Sequence, residues 1–264
     1  MKTSDLVQLM NDRPASDRLT DAELHELMAW DTPSVYNGWE QVTDRDPARG
    51  AFNMEAVEDF MPQFGSMAGY AVTVVIEPGN PDHPDRNPDA WQQYRQYVAS
   101  VSGPKIVVVQ DRDKPRVLGS FWGEVNSGIH RALGCVGTVT DGGVRDLDEM
   151  RTVGFKALAR RPCVGHAHNW PVRWDCEVDV FGTRIQPGQL IHADQHGFLA
   201  ITADEAPKVL EATRFMDQNE RKTVIPAGRR TAGKSMEDIL AEIDDAASQF
   251  QRNVRKRFVT GGEW

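Results

Sequence analysis

The chain has 264 residues, and its 39 Asp and Glu against 30 Lys and Arg give a formal net charge of −9. This length supports one large domain with a buried core, and the acidic balance argues against a general nucleic-acid surface. No apolar run reaches the ~20 residues of a membrane span, and three cysteines without CxxC spacing indicate no disulfide framework. We therefore expect a cytoplasmic protein.

The N-terminal region is predicted to be an arm followed by short helices. Residues 1–18 are polar and mixed in charge. Thr20 and Glu23 have the spacing of a capping box, which predicts that a helix begins there. A second short helix is expected from about Ser34, and the charged, turn-rich residues 41–50 are expected to form a loop.

Strands and helices alternate through the middle of the chain. β-branched runs predict buried strands at residues 71–76, 105–110 and 136–140, separated by helices at residues 91–100 and within 119–134. A proline-rich loop at residues 80–88 follows the first strand. This alternation predicts a layered α/β core with parallel strand pairing.

The second half of the chain changes from strands to helices. Strands are predicted at residues 156–160 and 176–181, a hairpin at 189–193 and 198–201, and helices at 206–220 and 235–257, after a basic loop at 221–234. The last helix carries an apolar stripe that must be buried. It packs either on the parent domain or on a neighbouring subunit; its members are Met236, Ile239, Leu240, Ile243, Ala247, Phe250 and Val254.

The segment VGTVTDGGVRD, residues 136–146, joins a strand to a charged pair. We expect the strand to break at residues 141–143, because paired glycines adopt positive φ and let a ligand approach the backbone. Arg145 then offers a bidentate fork for an anion, and Asp146 offers a hard oxygen ligand. The alternative is a surface turn closed by a local ion pair.

Gly123 and Glu124 stand at the predicted start of a helix, where free amides favour an anion. One interpretation makes the Glu124 side chain a helix cap. The other lets the amides of Glu124, Val125 and Asn126 hold a substrate carboxylate, with the Glu124 side chain turned toward a metal.

Three carboxylates could surround one guanidinium in this region. Asp141, Arg145 and Asp146 follow a buried strand, at the edge where open α/β sheets bind ligands, and Glu124 could join them. Carboxylates brought together require a cation, and oxygen ligands suit Mg²⁺ or Mn²⁺ better than Zn²⁺.

Histidines form two further groups. His166 and His168 would share a face within a strand, as a zinc pair does, but no third His or Cys has a supporting spacing. His192 and His196 flank Asp194 and are interpreted as turn and hairpin residues. Either group could instead line a pocket and bind substrate oxygens.

Two segments together resemble the RraA-like family, which includes the regulator of ribonuclease activity A and the 4-hydroxy-4-methyl-2-oxoglutarate aldolases. They are the series from Gly123-Glu124 to DGGVRD at residues 141–146, and PGQLIHADQHG at residues 187–197. The resemblance covers about residues 31–201. It implies an αββα sandwich of the swivelling phosphohistidine-domain type, at residues 31–205. An N-terminal arm and helix would occupy residues 1–30, and a C-terminal helical extension residues 206–264.

The resemblance also implies a function and a site. It implies a divalent-metal lyase, a class II pyruvate aldolase or oxaloacetate decarboxylase, that cleaves a C–C bond in a 2-oxo acid through a metal-stabilised enolate. Asp146 would ligate Mg²⁺ or Mn²⁺, Glu124 would hold a metal-bound water, and Arg145 would bind the substrate. Homotrimers or homohexamers are implied, and in some family members a carboxylate from the C-terminal region of a neighbouring subunit completes the site.

Some features depart from the family pattern and leave other functions open. Gln189 stands where the family commonly has Asp, and the insert at residues 80–96 is not part of the family pattern. The segment 166–170 is particular to this subgroup, so its substrate can differ from that of the named aldolases. One alternative is a non-catalytic, protein-binding regulator of an RNA-processing nuclease. The other is a sugar-acid dehydratase that uses the same metal site.

Overall fold

The computed structural model describes residues 18–258, so nearly all of the predicted arm lies outside the described residues. Helix α1 (Asp21–Leu27) begins with the predicted capping box between Thr20 and Glu23. Helix α2 (Thr32–Trp39) begins two residues before the predicted start. The reason is that Asp31 caps it by accepting the Ser34 amide at 2.8 Å.

The remaining elements alternate as the sequence predicts, with short additions. Their bounds are β1 (Glu58–Asp59), β2 (Met67–Ile76), α3 (His83–Arg86), α4 (Ala90–Ser100), β3 (Lys105–Asp111), β4 (Ser120–Trp122), α5 (Glu124–Ala132), β5 (Cys135–Val144), α6 (Leu147–Thr152), β6 (Lys156–Pro162), β7 (Pro171–Trp174), β8 (Val178–Val180), β9 (Thr183–Ile185), β10 (Leu190–Asp194), β11 (Gly197–Ile201), α7 (Ala206–Lys222), α8 (Val224–Arg229) and α9 (Met236–Arg257). Strands β1, β4, β7 and β9 were not predicted. Helix α3 interrupts the predicted proline-rich loop, and α8 occupies part of the predicted basic loop.

The main sheet is mixed, which confirms the α/β class. Its strand order is β1-β6-β5-β3-β2-β10-β11, with β4 paired to β5 and β7 paired to β2. The β2–β3, β3–β5 and β5–β6 pairs are parallel, as the strand–helix alternation predicts. The β10–β11 hairpin adds to β2 in antiparallel fashion. The parallel strands therefore end at one edge of the sheet, with β5 near its middle.

Both faces of the sheet are buried, which explains the continuous apolar runs. Along β2, Val72 and Val74 pack with side chains of α4 and α6 on one face. Ala71 and Val75 point to the other face, where Val178 and Ile185 of the β8–β9 hairpin complete a second core. Strands buried on two sides cannot alternate apolar with polar residues, so their sequence reads as an unbroken β-branched run.

The C-terminal helices differ in how much they bury. Helix α7 packs Val209 and Leu210 into a core shared with α1 and α2. Helix α9 buries only the C-terminal half of its predicted stripe, through Phe250 and Val254. Its N-terminal half stays exposed, at Met236, Leu240 and Ile243. Across residues 18–258, none of the helices combines the length and the apolar character needed to span a membrane.

Candidate active site

Strands β4 and β5 bring the two predicted pieces of the site together. They run parallel, with Ser120 opposite Gly143 and Trp122 opposite Val144. Both strands therefore leave the sheet at the same place, one into Gly123 and the other into Arg145. The sequence interpretation required this proximity, and β4, the element that produces it, was not predicted.

The predicted break at residues 141–143 is wrong, because β5 continues to Val144. Gly142 and Gly143 are strand residues next to a shift in the β5–β6 register. An ideal Cβ on Gly143 would lie 2.7 Å from Cβ of Cys163 and 2.9 Å from a methyl carbon of Val117. Gly143 thus permits close packing within the sheet, and neither glycine forms a turn that aims Arg145.

Gly123 forms the floor of a small cradle. An ideal Cβ on this residue would lie 2.6 Å from Oδ2 of Asp146 and 3.1 Å from Nε of Arg145. The Glu124 amide, at the first turn of α5, donates to the same Asp146 oxygen at 3.1 Å. Arg145 Nε stands 3.4 Å from that oxygen as well. A carboxylate, a guanidinium and a helix N-terminus therefore meet at one point.

Asp146 is held in a backbone conformation that few side chains adopt. Its φ of 53° and ψ of 47° lie in the left-handed region, and it precedes α6 without capping that helix through its side chain. Such a conformation at a non-glycine residue costs of order 1 kcal/mol. It directs the carboxylate back toward Gly123 and away from the amides of α6.

Arg145 is positioned in part by a loop that the sequence did not single out. Its Nη1 donates to the Val164 carbonyl at 3.4 Å. This loop is anchored where the Cys163 amide donates to Val144 and where Gly165 accepts from Ser120. A backbone carbonyl has no sequence signature, so residue patterns could not reveal this contact.

The first three side chains of α5 differ in whether they face solvent or the protein interior. Glu124 is exposed, and its carboxylate makes no hydrogen bond or ion pair with other residues of the 18–258 range, so it is not a cap. Val125 is 74% exposed. The Asn126 side chain instead turns inward and donates to the Phe121 carbonyl at 2.8 Å. The side chains of Glu124 and Val125 therefore remain available to a ligand, while that of Asn126 fixes the helix to β4.

Asp141 belongs to a different, buried cluster. Its two oxygens accept from the Asp111 amide at 2.7 Å and from Lys114 Nζ at 2.8 Å. Burial raises the pKa of Asp141, while these two hydrogen bonds oppose the rise. The Asp141 side chain is fully buried at the end of β3, where it bonds to Asp111 and Lys114. It therefore does not contact Arg145 or Asp146.

The remaining donor set fits a hydrated divalent cation. Asp146 is about one-third exposed, and its Oδ1 bonds to no other described residue. Among residues 18–258, no three His, Cys, Asp or Glu side chains converge as a metal cage does. Mg²⁺ commonly keeps several waters and uses only one or two protein carboxylates, so Asp146 with Glu124 nearby suits it.

The two predicted histidine groups lie in a loop and in a hairpin. His166 and His168 are exposed in the loop between β6 and β7, so the shared strand face of a zinc pair is absent. His192 and His196 lie in and beside the predicted β10–β11 hairpin. His192 is buried against Thr32 and Leu27, where it joins the start of α2 to the sheet.

Known proteins with related sequence or structure point to one family. Residues 32–200 match the RraA-like family described as Aldolase/RraA. The chain is 26% identical over 159 residues to Protein DlpA of Legionella pneumophila, covering 58% of this chain and 25% of DlpA. It is 46% identical over 68 residues to a putative 4-hydroxy-4-methyl-2-oxoglutarate aldolase of Burkholderia mallei, covering 25% of this chain and 41% of that protein. The chain thus spans less than half the length of either relative.

A solved structure supports the same grouping at the level of fold. The structure of Streptomyces coelicolor RraAS2, described as an unusual member of the RNase ES inhibitor RraA protein family, superposes with a TM-score of 0.61 at 18% identity. The superposition covers 78% of this chain and 96% of RraAS2. The matched residues 32–200 include β4, β5 and the whole cradle. The chain therefore belongs to the RraA-like family, which includes aldolases and RNase inhibitors.

Proposed function

We propose that the protein is a Mg²⁺- or Mn²⁺-dependent lyase that cleaves a C–C bond in a small, pyruvate-derived 2-oxo acid. The observation that carries this proposal is the meeting of Asp146, Arg145 and the α5 N-terminus within 3.4 Å. A 2-oxo acid presents a carboxylate and a keto oxygen side by side. An amide-lined helix start and a guanidinium suit that pair of oxygens.

Each residue of the cradle has a separate role in this proposal. The amides of Glu124, Val125 and Asn126 bind the pyruvyl carboxylate, and the missing side chain of Gly123 leaves room for Asp146 and Arg145 beside them. Arg145 binds the keto oxygen or the carboxylate and stabilises negative charge there. Asp146 would hold the metal ion, with Glu124 acting through water. When bound, the ion supplies Lewis acidity that polarises a keto group.

The chemistry balances without a redox partner. The bond to the pyruvyl C3 breaks, and its electron pair stays on the pyruvyl fragment as an enolate. In aldol cleavage, the C4 hydroxyl gives its proton to water as the other fragment leaves as a carbonyl compound; in decarboxylation, the carboxylate leaves as CO₂. A proton from water then converts the enolate to pyruvate. In this proposal, the Glu124 carboxylate, which is exposed, holds the water that delivers this proton.

Pyruvate release tests the proposal directly. Wild-type protein with Mg²⁺ is expected to release pyruvate from 4-hydroxy-4-methyl-2-oxoglutarate or oxaloacetate, whereas Asp146→Ala and Arg145→Ala should lose at least 10²-fold in kcat/KM. The matched control is Asp148→Ala, which removes an exposed carboxylate of α6 whose only ion-pair partner among residues 18–258 is Arg151. A folded protein that turns over no oxo acid in the presence of metal would refute the lyase assignment.

Two other functions are distinguishable outcomes of related assays. A regulator of an RNA-processing nuclease would bind its protein partner equally well with and without a chelator. A sugar-acid dehydratase would use the same metal but would release water and no pyruvate. Neither alternative requires a different structure of the cradle. The binding and product assays therefore distinguish the three functions.

We also propose that the core has the swivelling phosphohistidine-domain type of fold, with helical extensions at both ends of the chain. The protein assembles as a homotrimer or homohexamer. The exposed half of the α9 stripe supports it, since Met236 and Leu240 are 70% and 56% exposed. Surfaces of this kind usually pack on a partner. Sedimentation of Leu240→Asp should show a smaller particle than wild type. A particle of unchanged size would contradict the proposal that α9 lies in the interface.

A further inference from the structure

The side chain of Ser120 is buried where β4 joins β5, beside the cradle. The residue is 2% exposed and lies opposite Gly143 in the parallel pairing of the two strands. Its hydroxyl hydrogen is shared between the Gly143 carbonyl at 2.8 Å and the Trp122 carbonyl at 2.6 Å. The same oxygen accepts the Trp122 amide at 3.2 Å. One hydroxyl therefore links the last residue of β4 to β5.

The pairing of β4 with β5 is irregular at this point. Ser120 is opposite Gly143 and Trp122 is opposite Val144, so two steps along β4 match one step along β5. An extra residue of this kind interrupts the backbone ladder and bends the strand. The Ser120 hydroxyl spans the extra residue, Phe121, and also reaches β5. It thus supplies hydrogen bonds where the ladder is interrupted.

The backbone of Ser120 holds a third segment beside the cradle. Its amide donates to the Gly165 carbonyl at 3.0 Å. Gly165 follows Val164, whose carbonyl accepts Nη1 of Arg145 at 3.4 Å. The loop that contacts the guanidinium is therefore fixed to the same residue that joins the two strands.

These bonds determine the spacing between the two halves of the cradle. Trp122 is directly followed by Gly123, so its position determines where α5 begins. Gly143 lies two residues before Arg145, so its position determines where the guanidinium leaves the sheet. Without the Ser120 hydroxyl, only the irregular backbone pairing would hold these two points together.

We propose that Ser120 is a positioning residue, whose buried hydroxyl holds the N-terminus of α5 at a fixed spacing from Arg145 and Asp146. Ser120 itself contacts neither the substrate nor the metal. The inference rests on the proposed function, because the spacing matters for catalysis only if the cradle contains the reacting groups. Misplacement of reacting groups by about 1 Å can cost 10²-fold in rate. Interactions made in the transition state depend on this geometry more than ground-state binding does.

Oxalate and pyruvate together measure the geometry of the cradle without turnover. Oxalate is planar and resembles the enolate left after C–C cleavage, whereas pyruvate is the released product. Calorimetric titration of the whole protein with each ligand, in saturating Mg²⁺, gives the ratio of the two affinities. In Ser120→Ala, we expect oxalate to lose about tenfold more affinity than pyruvate loses. For pyruvate release from oxaloacetate, kcat should fall at least tenfold while KM changes less than about threefold.

Thr138→Val is the matched control for the loss of a buried hydroxyl. Thr138 lies on β5, five residues before Gly143, and its Oγ1 donates to the Val107 carbonyl at 2.7 Å. It is fully buried, so the substitution also removes a buried bond between strands, but away from the cradle. The affinity ratio should stay at its wild-type value. Thermal melting shows that each variant is folded, and Ser120→Cys, which keeps a weak donor, replaces Ser120→Ala if the latter does not fold.

Amide hydrogen exchange tests the positioning without any ligand. In Ser120→Ala, we expect faster exchange at residues 120–124, 143–146 and 163–165 than in the rest of the sheet, because local opening requires fewer bonds to break. Thr138→Val should not single out these three segments. The measurement needs neither metal nor substrate, so it is independent of the proposed function.

The negative results have different meanings. Wild-type protein that binds neither oxalate nor pyruvate in Mg²⁺ would count against the proposed function, and the exchange data would still decide whether Ser120 holds the three segments. Unchanged exchange in Ser120→Ala would refute the inference. An unchanged affinity ratio together with faster exchange would also refute it, because the hydroxyl would then stabilise the fold without controlling the geometry of the cradle.

Discussion

Gly123→Ala is a steric test of the cradle that leaves its chemistry in place. The backbone at Gly123 is extended, with φ of −177°, so alanine is accommodated there without backbone strain. The added Cβ would nevertheless lie 2.6 Å from Oδ2 of Asp146, where ordinary contact begins at 3.4 Å. The carboxylate must move by about 0.8 Å. Arg145 Nε, at 3.1 Å from the same Cβ, has to shift by a smaller amount.

A displacement of this size at reacting groups reduces catalysis strongly. Misplacement by about 1 Å can cost 10²-fold in rate, so kcat/KM for pyruvate release should fall by about that factor. Stability should change little, since replacing glycine with alanine at a helix N-cap costs about 1 kcal/mol. Steady-state kinetics with saturating Mg²⁺, combined with thermal melting, measures the two effects separately.

Gly128→Ala is the matched control within the same helix. An ideal Cβ there meets no atom within 4 Å, so activity should stay at the wild-type level. The substitution should also stabilise α5 by roughly 0.5–1 kcal/mol, as glycine is unfavourable inside helices. Wild-type kinetics for Gly123→Ala would refute the reasoning, because the cradle would then not contain the reacting groups.

Three further substitutions test the energetics of the fold around the site. Asp146→Gly removes the carboxylate from a residue with φ of 53°, so activity should disappear while the melting temperature stays within a few degrees of wild type. Burial raises the pKa of Asp111 to about 7. The folded protein therefore loses stability as pH rises from about 4 to about 7, and Asp111→Asn should be more stable by roughly 2–4 kcal/mol at pH 8 but not at pH 4 in urea titrations. Lys114→Met leaves Asp141 buried without its cation and should cost about 3–5 kcal/mol in the same titrations, whereas a cost below 1 kcal/mol would mean that the pair is not coupled.

Local signals predicted much of the fold. The capping box at Thr20 and the continuous apolar runs gave the correct type of element, because short-range hydrogen bonds and two-sided burial leave direct traces in the sequence. The buried residues of α5 are Ser127 and His130, and Nε2 of His130 lies 2.9 Å from the Tyr94 hydroxyl across the core. Such a polar network depends on a partner 36 residues away and has no local pattern.

The sequence identified Arg145 and Asp146 as site residues, but it did not predict how the neighbouring strand residues position them. Arg145 and Asp146 were identified from their position after a strand and by family resemblance. The glycines before them were interpreted as a turn, since a turn glycine and a close-packed strand glycine look the same in a sequence. The neighbours Cys163 and Val117 decide between the two. Asp141 was grouped with Arg145 and Asp146 because it is close to them in the sequence, whereas in the structure its buried side chain pairs with Lys114.

The hydrogen bond from the Glu124 amide to Asp146 has a consequence for ligand affinity. That amide has one hydrogen, and in the free protein an internal carboxylate already occupies it. In the proposed complex, a substrate carboxylate replaces Asp146 at this position, and Asp146 turns toward the cation. The measured substrate affinity is then a difference between two carboxylates competing for one donor, so substrate and cation must strengthen each other's binding.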